Sequence, residues 1–188
     1  MFTKQEYLTM FTKQEYLEEY KNNNKNANIT KLLGYIEERL NHNSSLGCDI
    51  ARFESFQLTP SLWKILTDDK RFKELCKCKG YELTLQKNED GSWVDITSTK
   101  AKEDAEIWNQ TFKNNDVNYF FNIIMGRIFT SGLAKNIKHP FYTIHKDCCS
   151  PIVWKLANSK TFLEKIVENG WNFDCGSDLL PYIQIKGW

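Results

Sequence analysis

An excess of either charge, a long apolar run and any standard catalytic signature are all missing from this 188-residue chain. Lysine and arginine total 25 against 24 aspartates and glutamates, leaving a net charge of +1. That balance excludes the global positive field with which duplex-binding proteins collect phosphates, and the acidic excess of a nucleic-acid mimic. No stretch approaches the ~18 consecutive apolar residues of a membrane-crossing helix, and the charged N-terminus has no signal-peptide core. We therefore expect a cytoplasmic chain (in the host cytoplasm, if viral) with no membrane partner. Glycine-rich phosphate loops, the Walker motif and HExxH do not occur. Six cysteines are too few for a disulfide scaffold and read as thiols. Cys76 and Cys78 sit two apart on an expected helix and point to different faces, while bridging the neighbours Cys148 and Cys149 would strain the backbone. Arginine is scarce beside lysine and asparagine, which we attribute to an AT-rich genome.

Aromatic residues, by contrast, are plentiful. They make up 14% of the chain, with twelve Phe and six Trp, within an apolar fraction of 41%. A ring-rich core follows, and a disordered chain is excluded. A protein of this size buries roughly 70% of its unfolded surface.

Two repetitions organise the sequence. The octapeptide MFTKQEYL at 1–8 returns at 10–17. On a helix, nine residues turn by about two and a half revolutions, so the copies present Tyr7, Leu8 and Phe11 on one side and Tyr16, Leu17 and Tyr20 on the other. One amphipathic stripe cannot hold both, which points to a short tandem duplication or an expression scar. The run KNNNKNAN at 21–28 reads as a polar linker.

The second repetition is older and longer. TPSLWKILTDDKRFKELCKCKGYELTL from Thr59 matches SPIVWKLANSKTFLEKIVENGWNFDC from Ser150, with one residue of slippage near Asp68 and Asp69. Pro60 aligns with Pro151, Trp63 with Trp154, Lys64 with Lys155, Phe72 with Phe162, and Gly80 with Gly170. Thr59 and Ser150 are N-cap residues followed by proline at the first helical position. Gly80 and Gly170 suit helix ends, and Asp68–Asp69 and Asn158–Ser159 mark a break between two short helices. Alternation then sets Tyr81, Leu83 and Leu85 on one face, repeated by Trp171, Phe173 and Cys175. Turns at 88–92 and 176–181 lead to closing strands with Val94 and Ile96, or Ile183 and Ile185, facing the core.

Upstream, Ile29, Leu32, Leu33, Ile36 and Leu40 form a helical stripe, and Phe120, Phe121, Ile123, Ile124 and Ile128 belong to a helix apolar nearly all round. Extended stretches near 48–57 and 140–146 join each helix to the repeated motif. Thr99 would cap a bridging helix carrying Ala101, Ala105, Trp108 and Phe112. The expected fold is α+β: tandem helix–strand–helix–strand–strand units at 29–98 and 117–188, joined by a bridging helix at 99–116 and related by a pseudo-twofold, behind a segment 1–28. One sheet shared by both halves is the alternative.

Several clusters are candidates for chemistry. HPFYTIHKDCCSP at 139–151 gathers His139, His145, Asp147, Cys148 and Cys149, a set in which imidazole would activate a thiolate near a helix start. The corresponding stretch of the first unit has no such set. A zinc site would combine Cys76, Cys78, Cys148, Cys149 and a histidine, although the C-x-C and C-C spacings are not those of a zinc knuckle. The alignment of Cys76 with Ile166 and of Cys175 with Leu85 instead makes these thiols small core fillers. Lys73, Lys77 and Lys79 would meet an anion, or else compensate a helix C-terminus. Trp63 with Lys64, and Trp154 with Lys155, would line an aromatic cleft for a flat ligand or a partner's anchor if they meet at a seam, and are core residues otherwise.

The style of the chain (a small duplicated α+β unit, rich in Asn and Lys, without a catalytic motif) is similar to that of accessory proteins of phages infecting low-GC bacteria, inhibitors of host defence among them. The absence of enzyme motifs, beside plentiful aromatic surface and duplicated modules, leads us to expect a non-catalytic binding or inhibitory protein that sequesters a protein partner or small ligand, with no cofactor and with leftover aromatic surface available for a homo-oligomer. Nucleic acid is not the favoured partner. A virion or scaffold component and a small Cys/His enzyme or zinc protein are the alternatives.

Overall fold

The computed structural model describes residues 13–89, 91–134, 140–176 and 181–187, with backbone alone for 13–17, 19–20 and 131–134. The first octapeptide copy, the start of the second, His139 and most of the turn at 176–181 lie outside the described residues.

Helix α1 spans Lys13–Ser44 without interruption. The expected linker at 21–28 is therefore helical. Asparagine costs a helix only a few tenths of a kcal/mol per residue, and neighbours tie this exposed turn down: Lys25 pairs with Asp69 at 2.5 Å, and Arg71 donates to Asn26 at 2.9 Å. Further on, Ile29, Leu32, Ile36 and Leu40 recur at spacings of three and four and are buried.

Strand β1 (Ala51–Glu54) and a 3-10 turn (Ser55–Gln57) lead into helices α2 (Pro60–Asp68) and α3 (Lys70–Cys78). The Thr59 hydroxyl accepts from the Leu62 amide, and Asp69 accepts from that of Phe72 at 2.8 Å, so the break between α2 and α3 is itself a helix cap. Gly80, at φ 74°, ends the pair. Strands β2 (Tyr81–Asn88) and β3 (Gly91–Ser98) complete an antiparallel sheet of order β1-β3-β2.

Helix α4 (Thr99–Lys113) follows directly, capped by Ser98 rather than by Thr99. Its Ala101, Ala105 and Phe112 are buried and Trp108 is half-buried. Helix α5 (Val117–Ala134) opens the second half, followed by β4 (Phe141–His145), a 3-10 turn (Lys146–Cys148), α6 (Pro151–Ala157), α7 (Lys160–Glu168), β5 (Asn172–Cys175) and β6 (Tyr182–Lys186). Ser150 and Ser159 cap α6 and α7 as Thr59 and Asp69 cap α2 and α3, and Gly170 has φ 77°. The second sheet is again antiparallel, with order β4-β6-β5. The sheets are separate, so the shared-sheet alternative does not describe this α+β fold. Among the described residues no helix is long and apolar enough to cross a membrane.

Each half has its own core. Leu32, Ile36, Phe53, Leu66, Phe72, Cys76, Val94 and Ile96 fill the first. The second is built on a chain of rings, Trp108–Phe112–Phe120–Phe162, with centroids 5.3, 5.3 and 5.0 Å apart. Cys76 and Ile166 are both fully buried, but Cys175 and Leu85, on the edge strands β5 and β2, are exposed.

The halves meet at the turn after α1. Leu46 enters the second core. Its carbonyl accepts from the Ser150 amide at 3.0 Å, that of Gly47 from Asn109 at 2.8 Å, and that of Ser45 from Arg127 at 2.9 Å. Gly47 has φ 75°, and a Cβ there would lie 2.2 Å from Asn109 Oδ1 and 2.9 Å from Ser150 Oγ. Only glycine combines this backbone with so close an approach.

Candidate ligand-binding groove beside the seam

Leaving Leu40 on the core stripe turns Tyr35, Glu38, Arg39 and His42 outward, along a helix that passes over β1 and the connection to α2. Together with Phe53, Gln57 and Leu58 they line a groove of about 500 Å³. Its size falls within the range of small-ligand sites. Arg39 is held by two neutral groups: its guanidinium donates to Gln57 Oε1 at 2.9 Å and lies 5.0 Å from the centroid of the Phe53 ring. Phe56, in the 3-10 turn next to Gln57, is 74% exposed.

Behind the groove the second half contributes polar groups. The His42 ring lies 5.5 Å from that of Tyr142, whose hydroxyl accepts from Arg127 at 3.4 Å. Arg127 also stacks over Trp108 at 4.8 Å, and His145 lies 5.7 Å from Tyr182. Burial pushes the His42 pKa down, aided by Arg127, His145 and Arg39 and opposed by Glu38, so this imidazole is neutral at pH 7. Burial pushes Tyr142 up. Among the described residues neither Arg39 nor Arg127 has a carboxylate ion-pair partner.

The sequence candidates are distributed around this place. His145 does not line the groove: it ends β4, lies against Tyr182 and is near enough to His42 to act on its charge. Cys148 and Cys149 are buried beside it, and burial raises their pKa values to about 11 and about 12. At pH 7 roughly one thiol in ten thousand, or fewer, is thiolate, the reverse of an activated nucleophile. Cys76 lies in the first core and Cys149 in the second, and among the described residues no three His, Cys, Asp or Glu side chains gather as a metal set.

Trp63 and Trp154 are half-buried, each packed against its own core. Lys64 is exposed on a slightly smaller groove of about 450 Å³ with Lys21, Lys25, Ser61 and Asp68. Lys155 is exposed. Lys79 lines a pocket of about 370 Å³ with Glu37, Ser98 and Lys100, a pocket that Lys73 and Lys77, both exposed, do not reach. Sequence reasoning missed Arg39, His42, Arg127 and Tyr142. The usable signal was the scarcity of arginine, with Arg127 interrupting the apolar run NIIMGRIF.

The chain matches no protein-family model, and neither a curated protein nor a solved structure shows significant similarity to it.

Proposed function

We propose that this chain is a non-catalytic binding protein, built from two copies of one α+β module about a pseudo-twofold, that sequesters a ligand or protein partner. A phage-encoded accessory or anti-defence factor is the setting this suits. The groove beside the seam carries the reading: Tyr35, Phe53 and Leu58 supply apolar walls, Arg39 is fixed before any ligand arrives, and an exposed aromatic, Phe56, precedes the lining residue Gln57 in the chain. Preorganised polar groups among aromatic walls lower the ordering cost of binding. Buried, strongly protonated thiols weigh against the Cys/His alternative. Support for the duplication comes from the paired caps, the paired glycines and the equivalent strand orders β1-β3-β2 and β4-β6-β5.

The test is affinity capture, followed by direct titration of whatever partner or ligand is identified against the purified chain. Tyr35→Ala combined with Phe56→Ala should weaken that complex at least tenfold, with the captured molecule recovered chemically unchanged. A complex indifferent to both substitutions, or a ligand released as product, overturns the reading.

A further inference from the structure

Resting on that reading, we infer that the groove beside the seam takes a small monoanion with a flat apolar body, an arylalkyl carboxylate being the simplest form, with Arg39 and His42 receiving its headgroup. The lining and size of the groove set the body: Tyr35, Phe53 and Leu58 form its apolar part within about 500 Å³, and aromatic faces favour a flat ring. Charge sets the head. Arg39 is anchored by one hydrogen bond to a neutral amide, and its planar fork keeps further N–H donors for an oxygen pair. Arg127 lies behind His42, held by the Ser45 carbonyl and the Tyr142 hydroxyl, and adds positive potential that, among the described residues, no carboxylate ion pair cancels.

Glu38 on the wall sets the limit on charge. One guanidinium at the surface, a neutral imidazole and a facing carboxylate favour a single negative charge and repel a dianion. The groups facing His42 are Arg127, His145, Arg39, Glu38 and the Tyr142 ring. Bound anion in this company favours imidazolium, so affinity rises as pH falls below 7.

Phenylacetate, its neutral amide phenylacetamide, and phenyl phosphate are the probes, titrated into the full chain and followed by backbone amide shifts. Phenylacetate should move amides of residues 35–42 and 53–58 and bind at least tenfold more tightly than the other two, and more tightly at pH 6 than at pH 8. Arg39→Gln should bring the acid-to-amide ratio close to one, while Tyr35→Ala weakens both probes alike. Equal affinity for acid and amide, a preference for phenyl phosphate, or shifts confined to other residues overturns the inference. With equal affinities the groove still binds and the proposed function stands. If no probe binds, the anion assignment falls, and the partner titration above decides the function separately.

Discussion

Gly47→Ala probes the contact on which the two halves depend. Two costs add there. An L-residue held at φ 75° is strained by ~1–2 kcal/mol, offset by ~0.4–1 kcal/mol from a less flexible unfolded chain. The new methyl would also stand 2.2 Å from Asn109 Oδ1 and 2.9 Å from Ser150 Oγ. Neither neighbour is free to swing away: Asn109 donates to the Gly47 carbonyl at 2.8 Å, and Ser150 accepts from the Val153 amide at 3.3 Å as the cap of α6. Overpacking of this kind costs ~1–3 kcal/mol, so the total should be ~2–4 kcal/mol. Gly80→Ala is the control, because Gly80 has φ 74° with open space around it and should lose only ~1 kcal/mol. Urea denaturation of both variants gives the difference. In an Asn109→Ala background the Gly47→Ala penalty should shrink by ~1 kcal/mol or more, the coupling expected of residues in contact. Equal losses at positions 47 and 80, or no coupling to Asn109, would refute the argument that close approach at the seam fixes this residue.

Phe72→Ala and Phe162→Ala, at matched and fully buried positions, should each cost ~3–5 kcal/mol in chemical denaturation; a loss near zero at either would show that its core is not packed as described. Asp95→Asn removes the charge that receives Arg52 at 2.8 and 3.1 Å and the Trp93 indole at 3.2 Å, and because Arg52 is partly exposed the expected loss is only ~0.5–1 kcal/mol, smaller still in high salt. The folded-state pKa of His42 is lowered, so the unfolded chain binds its proton first as pH falls; stability is fully present above pH 6.5 and is lost as pH drops through the folded value. His42→Gln should flatten that decline, measured by urea midpoints between pH 7.5 and 5. With a disulfide reagent at pH 7.5, the exposed Cys78 and Cys175 should react at least a hundredfold faster than Cys148 and Cys149, which become reactive only on unfolding, and peptide mapping after timed quenching distinguishes them.

Local chemistry was enough to read much of this chain. Thr59–Pro60 and Ser150–Pro151 announce helix starts, Gly80 and Gly170 announce helix ends, and the alternation around Val94, Ile96, Ile183 and Ile185 fixes the core face of each closing strand. Each of these preferences is set within a few residues of backbone, so no distant contact was needed. The run at 21–28 misled for the opposite reason: its helix is held by Asp69 and Arg71, more than forty positions away. Cys175 and Leu85 misled because alternation assigns a face to a side chain but does not say which strand will stand at the edge of its sheet.

The sequence by itself determined most of the elements, their order within each half and most of the residues that fill each core, since capping, periodicity and glycine conformation are local properties. Only the tertiary structure decided where the halves touch and what gathers there. Arg39 and His42 lie one turn apart on α1, but Arg127 comes from α5 and Tyr142 from β4, about ninety and a hundred positions further along, and no local spacing links them to the first pair. Their common environment exists because Leu46 enters the second core and Gly47 lets Asn109 and Ser150 close upon it.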